Sequence, residues 1–221
     1  YDNLQRLTSE TMAGLYTKSY TYRDISSTRT TTQIASESYT GLCSGWSNRG
    51  ASYTYDAMGN IATITGPYKN KNSVQRTYTY DAQNQLLSEK IGSDTTSYTY
   101  DTAGNIRSIS GPSVSKSFSY NDSGDWKDLL TSVTVNGTTR SITYEEENGV
   151  TIGNPLSYFN GTQYTLAWQN GRQLASLSGG GKSATYTYGA DGIRTSKTVT
   201  DSSGTTTYQY TTQNGQIARQ S

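Results

Sequence analysis

The sequence predicts an all-β fold, laid out as a long antiparallel meander of repeated β-hairpins. Three observations carry that prediction. Twenty tyrosines stand in 221 residues, while Ile, Leu, Val and Phe together supply only 31. Aromatic and β-branched side chains suit a pleated, half-buried surface rather than a thick helical core. A tyrosine-centred motif recurs along most of the chain, and tight-turn residues follow each copy. Disorder is the competing reading for a chain this poor in aliphatics, but it also needs high net charge. Here 18 Lys and Arg balance 17 Asp and Glu, leaving +1.

The clearest copies are Tyr53-Thr54-Tyr55-Asp56-Ala57-Met58-Gly59-Asn60-Ile61, Tyr78-Thr79-Tyr80-Asp81-Ala82-Gln83-Asn84-Gln85-Leu86 and Tyr98-Thr99-Tyr100-Asp101-Thr102-Ala103-Gly104-Asn105-Ile106. Weaker copies centre on Tyr20-Thr21-Tyr22, Phe118-Ser119-Tyr120, Ile142-Thr143-Tyr144, Tyr164 to Trp168, Tyr186-Thr187-Tyr188 with Asp191 and Gly192, and Tyr208-Gln209-Tyr210. Marker positions 55, 80, 100, 120, 144, 168, 188 and 210 lie 20 to 25 residues apart. The chain is expected to be one array of about ten repeats, degenerate over 1–52, regular over 53–117 and divergent over 118–221. It opens on Tyr1-Asp2 in mid-motif, with no initiator Met and no signal peptide, and reads as a piece of a longer chain.

Each copy reads as a hairpin. Tyr53 and Tyr55 are two apart, so they share a face. Asp56 suits the first position of a type I turn, where its carboxylate accepts backbone N–H groups, and Gly59 suits a positive φ at the fourth. Asn84 replaces that glycine in the next copy and is the residue next most tolerant of the conformation. Ile61 and Ile64 break strict alternation, through either a bulge or burial on both faces. In the second half Asn136-Gly137, Asn160-Gly161 and Asn170-Gly171 signal hairpin turns with both residues at positive φ. Trp126 to Leu130 is expected to form a loop or a short 3₁₀ piece. Roughly 20 strands follow, and open sheets beyond ~10 strands curl, so a spiral shell-like wall is expected. A sandwich or barrel is the alternative. The tyrosine pairs are expected to stack into rows.

Composition excludes several functions. With no histidine there is no Ser-His-Asp or Cys-His catalysis and no His zinc site. Cys43 alone makes no internal disulfide and no multi-cysteine cluster. Balanced charge argues against a nucleic-acid partner, and no apolar stretch is long enough to span a membrane. No cofactor is expected.

Tyr-Thr-Tyr-Asp-x-x-Gly-Asn-Ile at this spacing resembles the YD repeat of the RHS family. Trp126 to Ser132, Ile152-Gly153-Asn154-Pro155-Leu156, Trp168 to Arg172 and Gly189 to Lys197 are similar to RHS proteins of Gram-positive bacteria, where such stretches lie just upstream of the RHS-associated core. The resemblance implies a continuous sheet spiralling into a hollow shell. In bacterial toxins that shell encloses a C-terminal toxic domain, and in animal teneurins a related shell serves adhesion. It also implies a secreted or cell-surface bacterial protein. The resemblance further implies that the RHS core carries an aspartate-dependent self-cleavage motif built around Asp-Pro. Here Pro67, Pro112 and Pro155 follow Gly66, Gly111 and Asn154, so that core lies outside this sequence.

Bland and functional readings compete at several places. Asp56, Asp81 and Asp101 cap turns rather than bind calcium, since each motif offers one carboxylate and Ca²⁺ wants 6–8 oxygens. Glu145-Glu146-Glu147 reads as a solvated loop rather than acidic machinery. The tyrosine rows with Trp46, Trp126 and Trp168 read as packing ahead of a sugar platform. Gly179-Gly180-Gly181-Lys182 reads as a flexible connection, not a phosphate loop. The expected role is a non-catalytic wall segment whose partners are the rest of the shell and the domain it encloses. A carbohydrate-binding or adhesive module that takes a surface glycan is the alternative, and a paired-carboxylate enzyme is a distant third. Open strand edges predict edge-to-edge self-association.

Overall fold

The computed structural model describes residues 1–41, 49–124, 126–213 and 216–220. Cys43, Trp46 and the Asn214-Gly215 dipeptide lie outside them. The strands are β1 (Ser9–Met12), β2 (Tyr16–Ser26), β3 (Arg29–Thr40), β4 (Ala51–Tyr55), β5 (Ile61–Tyr68), β6 (Lys71–Tyr80), β7 (Leu86–Ile91), β8 (Asp94–Tyr100), β9 (Ile106–Gly111) and β10 (Val114–Tyr120). They continue as β11 (Leu130–Val135), β12 (Thr138–Ser141), β13 (Tyr144–Glu147), β14 (Val150–Pro155), β15 (Ser157–Phe159), β16 (Gln163–Gln169), β17 (Gln173–Gly179), β18 (Lys182–Tyr188), β19 (Arg194–Asp201), β20 (Gly204–Gln213) and β21 (Gln216–Gln220). The fold is all-β, as the sequence predicts. Strands hydrogen-bond in chain order, as a 12-stranded sheet β1 to β12, a pair β13–β14 and a seven-stranded sheet β15 to β21. Neither large sheet closes into a barrel. The chain divides into two compact units, Tyr1–Thr99 with Ile109–Ser113, and Tyr100–Ser108 with Val114–Ser221.

In the first unit the hairpins follow the motif closely. Tyr55 pairs with Ile61, Thr54 with Thr63 and Tyr53 with Ile64, so Ala62 is an extra residue opposite the Thr54–Tyr55 step. Tyr80 pairs with Leu86 and Thr79 with Ser88, which makes Leu87 the extra residue of its hairpin. This bulge decides the alternation question: Ile61 and Ile64 share the tyrosine face because Ala62 takes up one residue between them. The intervening residues show a second pattern. Thr54 and Thr63 hydroxyls pair at 2.7 Å, and Thr79 and Ser88 at 2.6 Å. Hydroxyl pairs of this kind contribute roughly 0.2–1 kcal/mol across strands.

Strand ends opposite the aspartate turns carry a glycine that the motif reading missed. A Cβ on Gly66 would stand 2.8 Å from the Gly50 carbonyl oxygen, and one on Gly111 2.7 Å from Thr96 Oγ1. In the second unit a Cβ on Gly179 would stand 2.9 Å from Tyr164 Cα. Neighbouring strands therefore approach closely there. Gly66→Ala and Gly179→Ala are expected to destabilise by about 1–3 kcal/mol, the usual cost of overpacking. Urea midpoints matching the parent chain would show that the strands part without strain.

In the second unit the same bulge recurs. Tyr120 pairs with Leu130, Trp168 with Leu174 and Tyr188 with Arg194, each with a register shift at the preceding step. The sequence predicts one continuous meander here, but the ladder is interrupted on both sides of β13–β14. Single backbone bonds continue each pairing up to the gaps: Ile142 N–H to the Thr131 carbonyl at 2.9 Å beside β11–β12, Leu156 to Thr143 at 2.7 Å at the base of β13–β14, and Leu166 to Leu156 at 2.9 Å beside β15–β16. The core gathers at this interruption. Val133, Val135, Ile142 and Phe159 are buried together, with Phe118, Leu130 and Tyr144 packed against them.

Burial elsewhere is thin. Among the described residues only these four and Ala184 are buried apolar side chains. The chain exposes 14403 Å², against about 10,000 Å² for a compact monomer of its mass.

Turn chemistry departs from expectation at three places. Asn136-Gly137 and Asn170-Gly171 have both residues at positive φ, but at Asn160-Gly161 only the glycine does. The Asn160 side chain instead accepts a 2.7 Å bond from Lys116 Nζ. Glu145-Glu146-Glu147 is not a loop. It lies in β13, and Asn148-Gly149 turns it into β14 with both residues at positive φ. Gly180-Gly181 is a tight two-residue turn, with Gly179 paired to Lys182, rather than a slack connection. Trp126 to Leu130 forms a turn closed by Leu129 N–H on the Trp126 carbonyl at 3.2 Å.

Candidate functional site

The feature that recurs is a tyrosine followed by a turn. In the turn after Tyr55, Asp56 Oδ1 accepts the backbone N–H of Met58 at 2.9 Å and of Asn60 at 2.8 Å. Asn60 Nδ2 donates to Asp56 Oδ2 at 3.1 Å. Gly59 N–H closes on the Asp56 carbonyl at 3.2 Å, and Gly59 has φ +92. Asp81 repeats the pattern with Gln83 and Gln85, and Asn84 takes φ +63 in the glycine's place. Asp101 repeats it with Ala103, Asn105 and Gly104. Asp2, in the degenerate segment, does the same with Leu4 and Arg6. At Asp191 the turn starts two residues earlier. Gly189 holds the usual aspartate position, and the Asp191 carboxylate lies 2.7 Å from where a Gly189 Cβ would stand. Asp191 still caps Ile193 N–H at 3.0 Å, and Gly192 has φ +79.

These carboxylates face donors. Burial alone would raise the carboxyls of Asp56 and Asp101, but the N–H groups of their turns outweigh it and hold both below the ordinary carboxylate range. At Asp2 the Arg6 side chain is the main cause of a lowered value. These oxygens accept hydrogen bonds from their own turns, the capping geometry expected of Asp56, Asp81 and Asp101. Among the described residues no group of three or more His, Cys, Asp or Glu side chains gathers. Because these pKa values are depressed by folding, their stabilisation is present above about pH 4 and lost as pH falls through the folded values. Unfolding midpoints are expected to fall below about pH 4, with a shallower fall in the D56N/D101N double variant. An unchanged acid limb in that variant would show that these turns do not set it.

The second tyrosine of the motif has a role that its spacing does not reveal. Its hydroxyl crosses to the preceding hairpin and donates to the carbonyl of an aliphatic residue on that hairpin's return strand. Tyr55 donates to Ile34 at 2.8 Å, Tyr80 to Ile61 at 3.0 Å, Tyr120 to Ile106 at 3.0 Å, Tyr144 to Leu130 at 2.8 Å and Tyr188 to Leu174 at 3.0 Å. Tyr22 does the same to Leu7 at 2.8 Å. Trp168 stands in a tyrosine position and keeps the rung, its indole N–H on the Pro155 carbonyl at 2.7 Å. Burial raises the phenols of Tyr55, Tyr80, Tyr120 and Tyr144, which keeps them as donors.

Turns are also tied to one another. Asn60 Nδ2 donates to Asn84 Oδ1 of the next turn at 2.7 Å. Asn105 Nδ2 reaches Asp128 at 3.4 Å, and Arg107 bridges Asp101 and Asp122. The first tyrosines, Tyr53, Tyr78, Tyr98 and Tyr186, line the same half-buried face as the second, including Tyr100. Cations lie over several of the motif rings: Arg23 over Tyr55 at 5.7 Å, Arg107 over Tyr120 at 5.0 Å, and Arg194 over both Tyr186 and Tyr210 at 5.6 and 4.8 Å. Of the tryptophans, Trp168 has its N–H engaged, and Trp126 covers Gly153 while remaining 44% exposed.

No protein-family model matches the chain, and no curated protein matches it. Solved structures do. The crystal structure of TcdB2-TccC3 without its hypervariable C-terminal region matches over 94% of this chain, at 16% identity and a TM-score of 0.48. A Photorhabdus luminescens Tc holotoxin pore with a mutation in TccC3 matches over 94%, at 16% identity and a TM-score of 0.40. The chain spans 12% of the length of each of those toxin-complex chains. A porin-like protein from Bacteroides uniformis matches over 96% of both chains, at 12% identity and a TM-score of 0.35. Among the described residues no helix is long and apolar enough to cross a membrane.

Proposed function

We propose that this chain is a non-catalytic wall segment of an RHS/YD-repeat shell, in a secreted or cell-surface bacterial protein whose C-terminal domain the shell encloses. The observation that carries the reading is the hydroxyl-to-carbonyl rung repeated from hairpin to hairpin. It makes each hairpin the support of the next, which is the property a wall of indefinite length requires. The YD motif supports the family. Thin burial supports a wall rather than a self-contained globule, since stacked units that cannot bury a face alone depend on their neighbours. Its partners in this reading are the adjoining repeats and the enclosed domain.

The test is limited proteolysis of the full-length parent protein. The C-terminal domain is expected to resist protease while the wall is intact and to become cleavable when Tyr80 and Tyr120 are both changed to Phe. A C-terminal domain cut equally fast in both proteins would overturn the enclosing role.

A further inference from the structure

We propose that the β13–β14 hairpin is a hinged flap over the second unit's apolar core, and that Asn154 is its latch. The hairpin forms a two-stranded sheet of its own, closed at its base by Leu156 N–H on the Thr143 carbonyl, while single backbone bonds from Ile142 to Thr131 and from Leu166 to Leu156 tie the residues flanking it to β11 and β16. A lone two-stranded hairpin is marginal in water, so side chains must hold it. Tyr144, at its base, packs against the Val133, Val135, Ile142 and Phe159 cluster and donates to Leu130. Asn154, at the other base, is the one buried polar residue among those described. Its amide donates to Glu145 Oε2 at 2.8 Å and to the Gly171 carbonyl at 2.6 Å. The first bond spans the hairpin, and the second fastens it to the turn between β16 and β17. The flanking residues are also clamped, Gly153 beneath the Trp126 ring and Pro155 by the Trp168 N–H.

The far end is free of such contacts. Glu146, Glu147, Asn148, Gly149 and Val150 are all exposed. Stretches 126–132, 152–156 and 168–172, far apart in sequence, thus converge on the hairpin's base. Opening there lifts Tyr144 from the cluster and uncovers it.

Hydrogen exchange of the whole chain, with binding of an apolar dye as a second readout, tests this. Asn154→Ala is expected to speed exchange in residues 144–155 at least about ten-fold and to raise dye binding, while β18 to β21 exchange as before. Glu145→Ala, which removes one of the two acceptors, should give a smaller rise in the same residues. Exchange over 144–155 unchanged in both variants would overturn the proposal. So would a rise spread evenly over the second unit, which would make Asn154 a general stabilising residue.

Discussion

Phe159→Ala is expected to destabilise the second unit by about 3–5 kcal/mol. Phe159 is 4% exposed and sits in a cluster with only three other buried apolar residues. Removing the ring empties space within that cluster, which Phe118, Leu130 and Tyr144 border. A loss of that size is a large share of the total stability of a domain, about 5–15 kcal/mol. Its neighbour Tyr158 points away and is 48% exposed, so Tyr158→Ala should cost far less. Urea unfolding of the two variants checks the contrast. Equal midpoints would mean that the cluster is not where this unit is held.

The second large effect is cumulative. Tyr55→Phe, Tyr80→Phe and Tyr120→Phe each remove one rung and leave the ring in place. A net hydrogen bond contributes about 0.5–1.5 kcal/mol, so the triple variant should lose about 3 kcal/mol if distant rungs add. Single variants should lose similar amounts, because the rungs are similar in length, 2.8 to 3.0 Å. Phenylalanine preserves ring burial and ring–cation contact, so the loss reports the hydroxyl alone. A triple variant as stable as the parent chain would reduce the rung to a bystander.

Much of this arrangement is legible in the residues, for local reasons. The capped turn depends on Asp56, Gly59 and their equivalents within five positions, and Asn84 at positive φ shows the same backbone demand met by another residue. The rung is not legible, because it depends on where the previous hairpin's carbonyl falls after a bulge. The bulge itself leaves a trace in the spacing of Ile61 and Ile64. That trace extends one step further than the motif reading followed it: Ile61, Ile64 and Gly66 recur as Ile106, Ile109 and Gly111 and as Leu174, Leu177 and Gly179. Glu145 to Glu147 resist a sequence reading for another reason. Three like charges favour solvent, but β13 exposes its last two residues and lets Asn154 take up Glu145. The interruption around β13–β14 has no local signal, and Ile142 and Phe159, buried together beside it, are far apart in sequence.

Half-buried tyrosine hydroxyls hold hairpin to hairpin. Folding raises the phenol values of Tyr53, Tyr55, Tyr78, Tyr80, Tyr120 and Tyr144, with burial as the main cause in each. A group whose pKa is raised by folding binds its proton more tightly in the folded state. Its stabilisation is full below the unfolded value, about pH 10, and is lost as pH rises through the folded value. The most direct measurement is a spectrophotometric titration of the tyrosines with the far-ultraviolet spectrum recorded alongside. The expected result is a late group of tyrosines that ionises only as the β-sheet signal collapses. Ionisation of all twenty tyrosines in one wave near pH 10, with the sheet signal intact, would contradict it.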